Sequence, residues 1–242
     1  PCQEALHDSL LSLNAKILRQ VHGNQGVKFM MTTICRQAAS SLYGLAAGLR
    51  EILDGKVEKL ESDLDSDGAP IVSQEFIDSI RSDVELLISQ ADSLDPHDPK
   101  AEKFLDVLAS KCKLEKNKVL VFSTFRHTLR YLATKIDGQE IRYGIVHGDV
   151  PDADRSELRR RFALPKDDEN ALDVLLSSEV GCEGLDFQFC DCLVNFDLPW
   201  NPMRIVQRHG RIDRIGSKHD YVHLGLFFPA ERLDELLALE ER

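Results

Sequence analysis

The segment QRHGRIDRIG, residues 207–216, concentrates arginine in a chain whose formal net charge is −11. With the preceding Arg204, its arginines and Gln207 recur at steps of three and four residues, which is the spacing of one helix face. A guanidinium group is charged at any working pH and donates paired hydrogen bonds to phosphate oxygens. The segment is therefore either a phosphate-binding surface or a solvated helix that pairs with acidic residues of the same chain.

Small polar residues and glycines follow several short apolar runs, at the points where strands of a parallel sheet would end. They are Ser123 and Thr124 after KVLVF, His147 and Gly148 after IRYGIV, residues 177–186 after DVLL, and residues 197–200 after CLVNF. In doubly wound sheets, ligands bind just outside the carboxyl ends of the strands. These positions therefore predict a binding edge.

From Lys118 onward, the apolar runs alternate with helical segments of about 10 to 15 residues. The runs predicted as strands are KVLVFS, IRYGIV, DVLLSS, CLVNFD and YVHLGLFF. Helices are predicted at about 126–137, 152–164 and 201–215, with a last one from Ala230. This alternation predicts an α/β fold, a doubly wound parallel sheet with right-handed crossovers and helices on both faces.

Residues 3 to about 114 repeat apolar residues at three- and four-residue steps and predict an all-helical region. Within it, ESDLDSDGAP combines acidic residues with Gly and Pro and predicts an exposed loop. Residues 61–98 hold eleven acidic residues against one basic residue, Arg81. We expect a helical insertion or linker region over residues 1–95 and the α/β lobe over residues 96–242.

Composition limits the class of protein. With 242 residues, of which 43% are hydrophobic, the chain can bury a core, but no apolar run approaches the ~20 residues of a membrane span. Six cysteines without C-x-x-C spacing fit reduced core thiols better than metal ligands. The acidic total argues against a coat of nucleic acid but is compatible with a local basic groove. We expect a cytoplasmic protein, and the start at Pro1 predicts the C-terminal part of a longer one.

Three segments resemble, in order and spacing, motifs IV, IVa, V and VI in the second RecA-like lobe of superfamily 2 helicases. They are KVLVFSTF, IVHGDVPDADRSELRRRF and LLSSEVGCEGLDFQFCDCLVNFDLPWNPMRIVQRHGRIDRIGS. The resemblance is closest to the Swi/Snf-like translocases, in particular the bacterial RapA-like subgroup, and covers about residues 118–228. Upstream, RQAASSLYGLAAGLREIL and DPHDPKAEKFLDVL more faintly resemble the helices that precede and enter that lobe.

The resemblance implies nucleotide-site roles for residues in motifs V and VI. Arg211 and Arg214 look like the motif VI arginines that reach across to the γ-phosphate of ATP held by the first lobe. Gln207 resembles the polar residue that opens motif VI and links the lobes or the nucleotide. Gly184 and Asp186 resemble the motif V stretch beside the nucleotide.

The same resemblance implies nucleic-acid contacts at strand ends, from Ser123, Thr124, His147, Gly148, Ser177 and Ser178. Hydroxyl groups and backbone amides bind phosphates without reading base sequence. Capping of a strand end is the alternative for each serine, and the HGD sequence at His147 is more typical of a turn than of a catalytic base. Arg159, Arg160 and Arg161 either attract DNA or form an exposed helix face.

The 242 residues contain no G-x-x-x-x-G-K-[ST] phosphate loop and no D-E-x-H or D-E-A-D box. ATP and Mg²⁺ are therefore expected to be held mainly by a first lobe elsewhere in the same polypeptide, and this chain alone is not expected to hydrolyse ATP. The implied function is the C-terminal motor lobe of an ATP-dependent helicase or translocase on double-stranded DNA. RNA polymerase or another DNA-bound protein is a further expected partner, which places the protein at the nucleoid.

Two other functions compete with the motor lobe. A non-catalytic module that docks nucleic acid or RNA polymerase would need a basic face but not two motif VI arginines. A metal-dependent hydrolase could use His147, Asp149 and Asp152, although a single turn offers poor ligand geometry. The presence of both Arg211 and Arg214 favours the motor lobe.

Overall fold

The structure is a computed structural model that describes residues 2–20, 25–55, 73–199, 201–214, 217 and 219–228. The described residues divide into two compact units, residues 2–97 and residues 98–228. Three predicted features lie outside the described residues: the loop ESDLDSDGAP, the side chain of Trp200, and the helix from Ala230.

The first unit is helical, as the apolar periodicity predicts. Its helices are α1 (Cys2–Gln20), α2 (Gln25–Ser40), α3 (Leu45–Leu53) and α4 (Gln74–Asp92). Their leucine, isoleucine, valine and methionine side chains form one buried cluster. The upstream segment from Arg36 that resembles a single helix is divided at residues 41–44, where Ser41 Oγ accepts a hydrogen bond from the Gly44 amide at 3.3 Å. None of the described helices is long and apolar enough to cross a membrane.

The second unit is an α/β lobe, and its fold confirms the predicted class. Its elements are α5 (Pro99–Cys112), β1 (Val119–Phe122), α6 (Arg126–Ile136), β2 (Tyr143–Val146), α7 (Asp152–Ala163), β3 (Val174–Ser177), β4 (Cys192–Asn195), α8 (Pro202–His209) and β5 (His223–Leu226). All strand pairs are parallel, in the order β2-β3-β1-β4-β5. The carboxyl ends of the strands therefore meet at one edge of the sheet.

Both faces of the three central strands are covered, which explains why these strands are continuous apolar runs. One face packs Val121 and Val194 with Phe104 of α5, and the other packs Leu120 and Leu193 with a second apolar cluster. Strands β1, β3 and β4 are buried at every position. A parallel sheet buried on both faces needs this composition.

Charged side chains form ion pairs at the amino ends of the strands. Arg142 donates from Nε and Nη2 to the Asp173 carboxylate at 3.0 and 2.7 Å, and Lys111 Nζ donates to Asp191 Oδ2 at 2.8 Å. Burial alone would raise the pKa of Asp173, but the hydrogen bonds and charge of Arg142 hold it below its usual value. The polar residues that follow the strands lie at the opposite edge, where the carboxyl ends of the strands meet.

Candidate functional site

Helix α8 carries the start of the arginine-rich segment and is shorter than predicted. Asn201 Oδ1 accepts a hydrogen bond from the Met203 amide at 2.9 Å, and Pro202 occupies the first turn, where a missing N–H costs little. The helix ends at His209, so the prediction that it continues to residue 215 is wrong. After it, the Arg211 and Ile212 amides bond to carbonyls three residues earlier, Arg211 N to Arg208 O at 3.0 Å. We call residues 210–214 the arginine turn.

Arg211 and Arg214 lie in the arginine turn with most of their hydrogen-bonding capacity unused. Among the described residues, their side chains hydrogen-bond only to backbone carbonyls: Arg211 Nη1 lies 3.4 Å from Leu185 O, and Arg214 Nε lies 2.9 Å from Gly210 O. Arg211 is partly exposed, and Arg214 and Gln207 are exposed. Neither arginine forms an ion pair with a carboxylate in the part of the chain that the structure describes. Two available guanidinium groups therefore stand at the end of α8.

Arg208 is not on this surface, which corrects the expectation that the arginines share one phosphate-binding face. Its side chain is 0% exposed and pairs with Glu179, Nε to Oε1, at 2.5 Å. Nη1 donates to Asn195 Oδ1 at 2.7 Å, and the guanidinium lies 5.1 Å from the centre of the Phe122 ring. Helical spacing alone could not reveal this burial, because Glu179 is 29 residues upstream.

The loop after β3 brings the predicted motif V residues next to the arginine turn. Gly184 has a φ of +73°, and a Cβ placed there would meet no atom within 4 Å. Beyond the contact of Arg211 with Leu185 O, the Phe187 amide donates to Arg211 O at 2.9 Å. Residues 184–187 and the arginine turn are thus joined by one backbone hydrogen bond and by one from the Arg211 side chain.

Asp186, the other predicted motif V residue, is engaged by helix α7. Arg159 donates from Nε to Asp186 O at 3.0 Å and from Nη2 to Asp186 Oδ1 at 3.3 Å. In the same cluster, Arg160 pairs with Glu157, and Arg161 Nε donates to Asn170 O at 3.0 Å. Of the two interpretations of these arginines, internal pairing on a helix face describes the observed contacts.

The residues that follow β1 bind a carboxylate that follows β4. Ser123 Oγ donates to Asp197 Oδ2 at 2.5 Å, and the amide and hydroxyl of Thr124 donate to Oδ1 at 2.9 and 3.1 Å. Ser123 and Thr124 are 0% and 2% exposed. The sequence places Asp197 at the predicted binding edge, but its role as the acceptor for Ser123 and Thr124 could not be predicted, because these residues are more than 70 positions away.

Ser177 and Ser178 are buried as well, at the end of β3. Ser177 Oγ lies 2.8 Å from both Ser178 O and Cys182 Sγ, and Ser178 Oγ accepts from the Gly181 amide at 3.2 Å. The Ser178 amide donates to Val146 O at 3.0 Å, so the ends of β2 and β3 are joined. These hydroxyls shape the loop after β3 from within the lobe.

His147 and Gly148 form a turn at the end of β2, as the HGD sequence predicts. His147 Nδ1 accepts from the Asp149 amide at 3.3 Å, and His147 O accepts from Val150 at 2.9 Å. Gly148 and Asp149 are exposed, and Asp149 pairs with Arg126 at 3.0 Å. Among the described residues, no group of three or more His, Cys, Asp or Glu side chains is placed to hold a metal ion.

We predict that His147 is neutral at pH 7. Burial lowers the pKa of His147 below its usual 6.5, and Arg126 and Arg130 lower it further, while Asp149 opposes them. The unfolded chain then binds the proton more readily, so part of the stability is lost as the pH falls from 6.5 through the lower folded pKa. An NMR titration, with His147→Gln to assign the signal, should give a midpoint below 6.5. A midpoint at or above that value would contradict the burial.

The sheet, its switch of strand order and the loops at one edge define a RecA-like α/β lobe. Residues 99–216 match the family described as the helicase conserved C-terminal domain. The predicted similarity to the second lobe of superfamily 2, Swi/Snf-like proteins of the RapA type is confirmed.

Relatives from bacteria and a solved structure agree with this assignment. The chain is 28% identical over 224 residues to the uncharacterized ATP-dependent helicase YqhH of Bacillus subtilis, which is 93% of this chain and 34% of that protein. It is 39% identical over 124 residues to the RNA polymerase-associated protein RapA of Serratia proteamaculans, which is 51% of this chain and 12% of that protein.

The crystal structure of the C-terminal part of the Fun30 ATPase domain superimposes with a TM-score of 0.60 at 17% identity, covering 99% of this chain and 85% of that one. At this identity, the likeness shows the fold alone. The chain therefore shares the fold of that structure, and it spans only about a third or less of the curated relatives described above.

Proposed function

We propose that the chain is the second motor lobe of an ATP-dependent translocase that acts on double-stranded DNA, and that its arginine turn supplies the residues that stabilise phosphoryl transfer. One observation carries the proposal: Arg211 and Arg214 have no carboxylate partner in the described structure, although the chain is strongly acidic. A lobe of this family has a use for such groups where charge develops on a phosphate.

The contrast with the other arginines supports this interpretation. Ion pairs with carboxylates engage Arg50, Arg81, Arg126, Arg142, Arg155, Arg159, Arg160 and Arg208. Arg130 and Arg161 also have no carboxylate partner among the described residues, but only Arg211 and Arg214 lie in the turn that is hydrogen-bonded to residues 184–187. Arg211 and Arg214 are thus available for a phosphate that comes from outside the chain.

The residues present fit the polyphosphate end of ATP with Mg²⁺ only in part, as expected of a second lobe. The arginine turn offers guanidinium donors, and the open space at Gly184 permits close approach of a ligand to the backbone. The sequence supplies no phosphate loop and no acidic box for Mg²⁺. When bound, ATP supplies the phosphoryl group that passes to water. In this proposal Arg211 and Arg214 bind its equatorial oxygens, and Gln207 contacts the first lobe or the nucleotide.

For duplex DNA, the proposed contacts start from the strand-end residues. Gly148 is exposed and His147 is partly buried, and both would contact phosphates directly. The hydroxyl groups of Ser123, Thr124, Ser177 and Ser178 are buried and would act indirectly: the first two hold the ends of β1 and β4 together through Asp197, and the last two hold the loop after β3. RapA relatives are named for association with RNA polymerase, and we propose RNA polymerase as the protein partner at the nucleoid.

The test is ATP hydrolysis by the parent polypeptide that carries both lobes, with and without duplex DNA. We expect duplex DNA to stimulate hydrolysis, and single-stranded DNA or RNA of equal length to stimulate it less. Hydrolysis that is absent or indifferent to nucleic acid would overturn the motor proposal. Binding of duplex DNA or RNA polymerase without hydrolysis would instead identify a docking module.

A further inference from the structure

The pair between Arg208 and Glu179 joins motif VI to motif V inside the lobe. Glu179 immediately precedes the short 3₁₀ turn Val180–Cys182, and Arg208 is the penultimate residue of α8. Arg208 also reaches the end of β4, through Asn195 Oδ1 at 2.7 Å and Asp197 O at 3.3 Å. One side chain therefore holds the end of α8 against two of the loops at the edge of the sheet.

The chemistry of the pair argues against a role in stability alone. Arg208 Nη2 is buried without a hydrogen-bond partner, and the Arg208 side chain is fully buried while that of Glu179 is 18% exposed. Desolvation of both charges offsets much of their attraction, so a buried ion pair contributes little net stability, and an unpaired donor lowers it further. An apolar side chain over Phe122 would fill this space at less cost. The pair is better explained by what it orients.

What the pair orients is the arginine turn. Arg208 O accepts the Arg211 amide at 3.0 Å, so the residue clamped by Glu179 is also the backbone anchor of the turn. Ile212, the next residue, is 0% exposed and fixes the other side of Arg211. A shift of the Arg208 backbone would move the Arg211 guanidinium directly.

We propose that Arg208 is a positioning residue: its buried pairing with Glu179 sets the orientation of the arginine turn, so that Arg211 meets the transferred phosphate. The proposal rests on the proposed motor function. Arg208 itself has no access to the nucleotide, and it acts through Arg211. A misplacement of about 1 Å at a reacting group costs up to ~10²-fold in rate.

The test uses Arg208→Lys, which keeps the charge but loses the fork that reaches both Glu179 and Asn195. In the parent polypeptide, we expect kcat for ATP hydrolysis to fall about 10- to 100-fold with KM for ATP within about twofold. Glu179→Gln should lower kcat as well. In the double variant Arg208→Lys with Arg211→Ala, we expect kcat to be no lower than in Arg211→Ala alone. Both changes act on the same interaction, that of Arg211 with the transferred phosphate.

The matched control is Arg142→Lys, at the amino ends of the strands. Arg142 also bonds a largely buried carboxylate, that of Asp173, and carbonyl oxygens of the loop 164–170. The Arg142→Lys variant should lower thermal stability, as Arg208→Lys does, but keep kcat within about threefold of that of the natural sequence. Equal losses of kcat in both variants, or a loss that appears in KM, would overturn the positioning role.

A second measurement separates this proposal from the motor proposal. In the 242-residue chain, amide hydrogen exchange should become faster in residues 207–214 for Arg208→Lys and stay unchanged in β3. This result supports the positioning role even if the parent polypeptide hydrolyses no ATP, an outcome that would defeat only the motor proposal. Exchange that rises equally in both segments would show a general loss of stability and defeat the positioning role.

Discussion

Replacing Arg211 with alanine in the parent polypeptide should lower kcat for duplex-stimulated ATP hydrolysis by at least about 10²-fold, approaching the ~10³–10⁵ attributed to arginine fingers elsewhere. The guanidinium is needed most when negative charge moves onto the transferred phosphoryl group, so binding of ATP itself should change little. Arg214→Ala should give a loss of similar size. The measurement is steady-state hydrolysis together with nucleotide affinity from equilibrium binding.

Conservative and control variants sharpen this prediction. Arg211→Lys keeps a charge but not the planar pair of donors, so it should recover only a small part of the rate. Arg160→Ala is the matched control, because Arg160 is an exposed arginine whose carboxylate partner is Glu157, three residues away. We expect that variant to stay within about twofold of the natural sequence, since exposed pairs of this kind contribute little.

The opposite pattern would be equally informative. If hydrolysis persists in both Arg211→Ala and Arg214→Ala while duplex DNA binding weakens, the arginine turn binds the nucleic-acid backbone or a protein partner. The lobe would then be a docking module, and the unpaired guanidinium groups would mark its interface. Salt dependence of binding would separate the two partners, because phosphate contacts weaken steeply with salt.

The fold of the second unit was predictable because continuous apolar runs in the sequence mark its buried strands. Each predicted run contains the observed strand, as KVLVFS contains Val119–Phe122, and the runs are continuous because both faces of the sheet are covered. The turn at the HGD sequence was also predictable, because it depends on residues that are adjacent in the chain. The order of the strands follows from pairing between distant segments, which no local pattern contains.

The structure of the arginine-rich segment could not be predicted from the local spacing of its residues. Spacing of three and four residues predicts one helix face, yet α8 ends at His209 and Arg208 points into the lobe. Both differences depend on partners far along the chain, namely Glu179 for Arg208 and Phe187 for the backbone of Arg211. The buried serines are a similar case, because Ser123 binds Asp197, 74 residues away.

Gly181 is where the largest effect on stability is expected. A Cβ at this position would lie 2.4 Å from Val146 O and 2.7 Å from Val146 C, so the backbone of β2 would have to move. The same carbonyl accepts the Ser178 amide, and the Gly181 amide donates to Ser178 Oγ, so no atom nearby can yield without losing a hydrogen bond. We expect Gly181→Ala to lower the free energy of unfolding of this lobe by about 3 kcal/mol.

Gly184→Ala provides the comparison, since the two glycines lie in one loop. At Gly184 a Cβ meets no atom within 4 Å, and the cost is only that of a φ of +73°, about 1–2 kcal/mol. Urea unfolding followed by fluorescence of Trp200, the single tryptophan of the chain, would measure both. Equal losses at the two positions would mean that the contact with Val146 costs no more than the left-handed strain at Gly184. A clearly larger loss at Gly181 would establish that the ends of β2 and β3 must touch, which joins the predicted nucleic-acid side of the lobe to the loop beside the arginine turn.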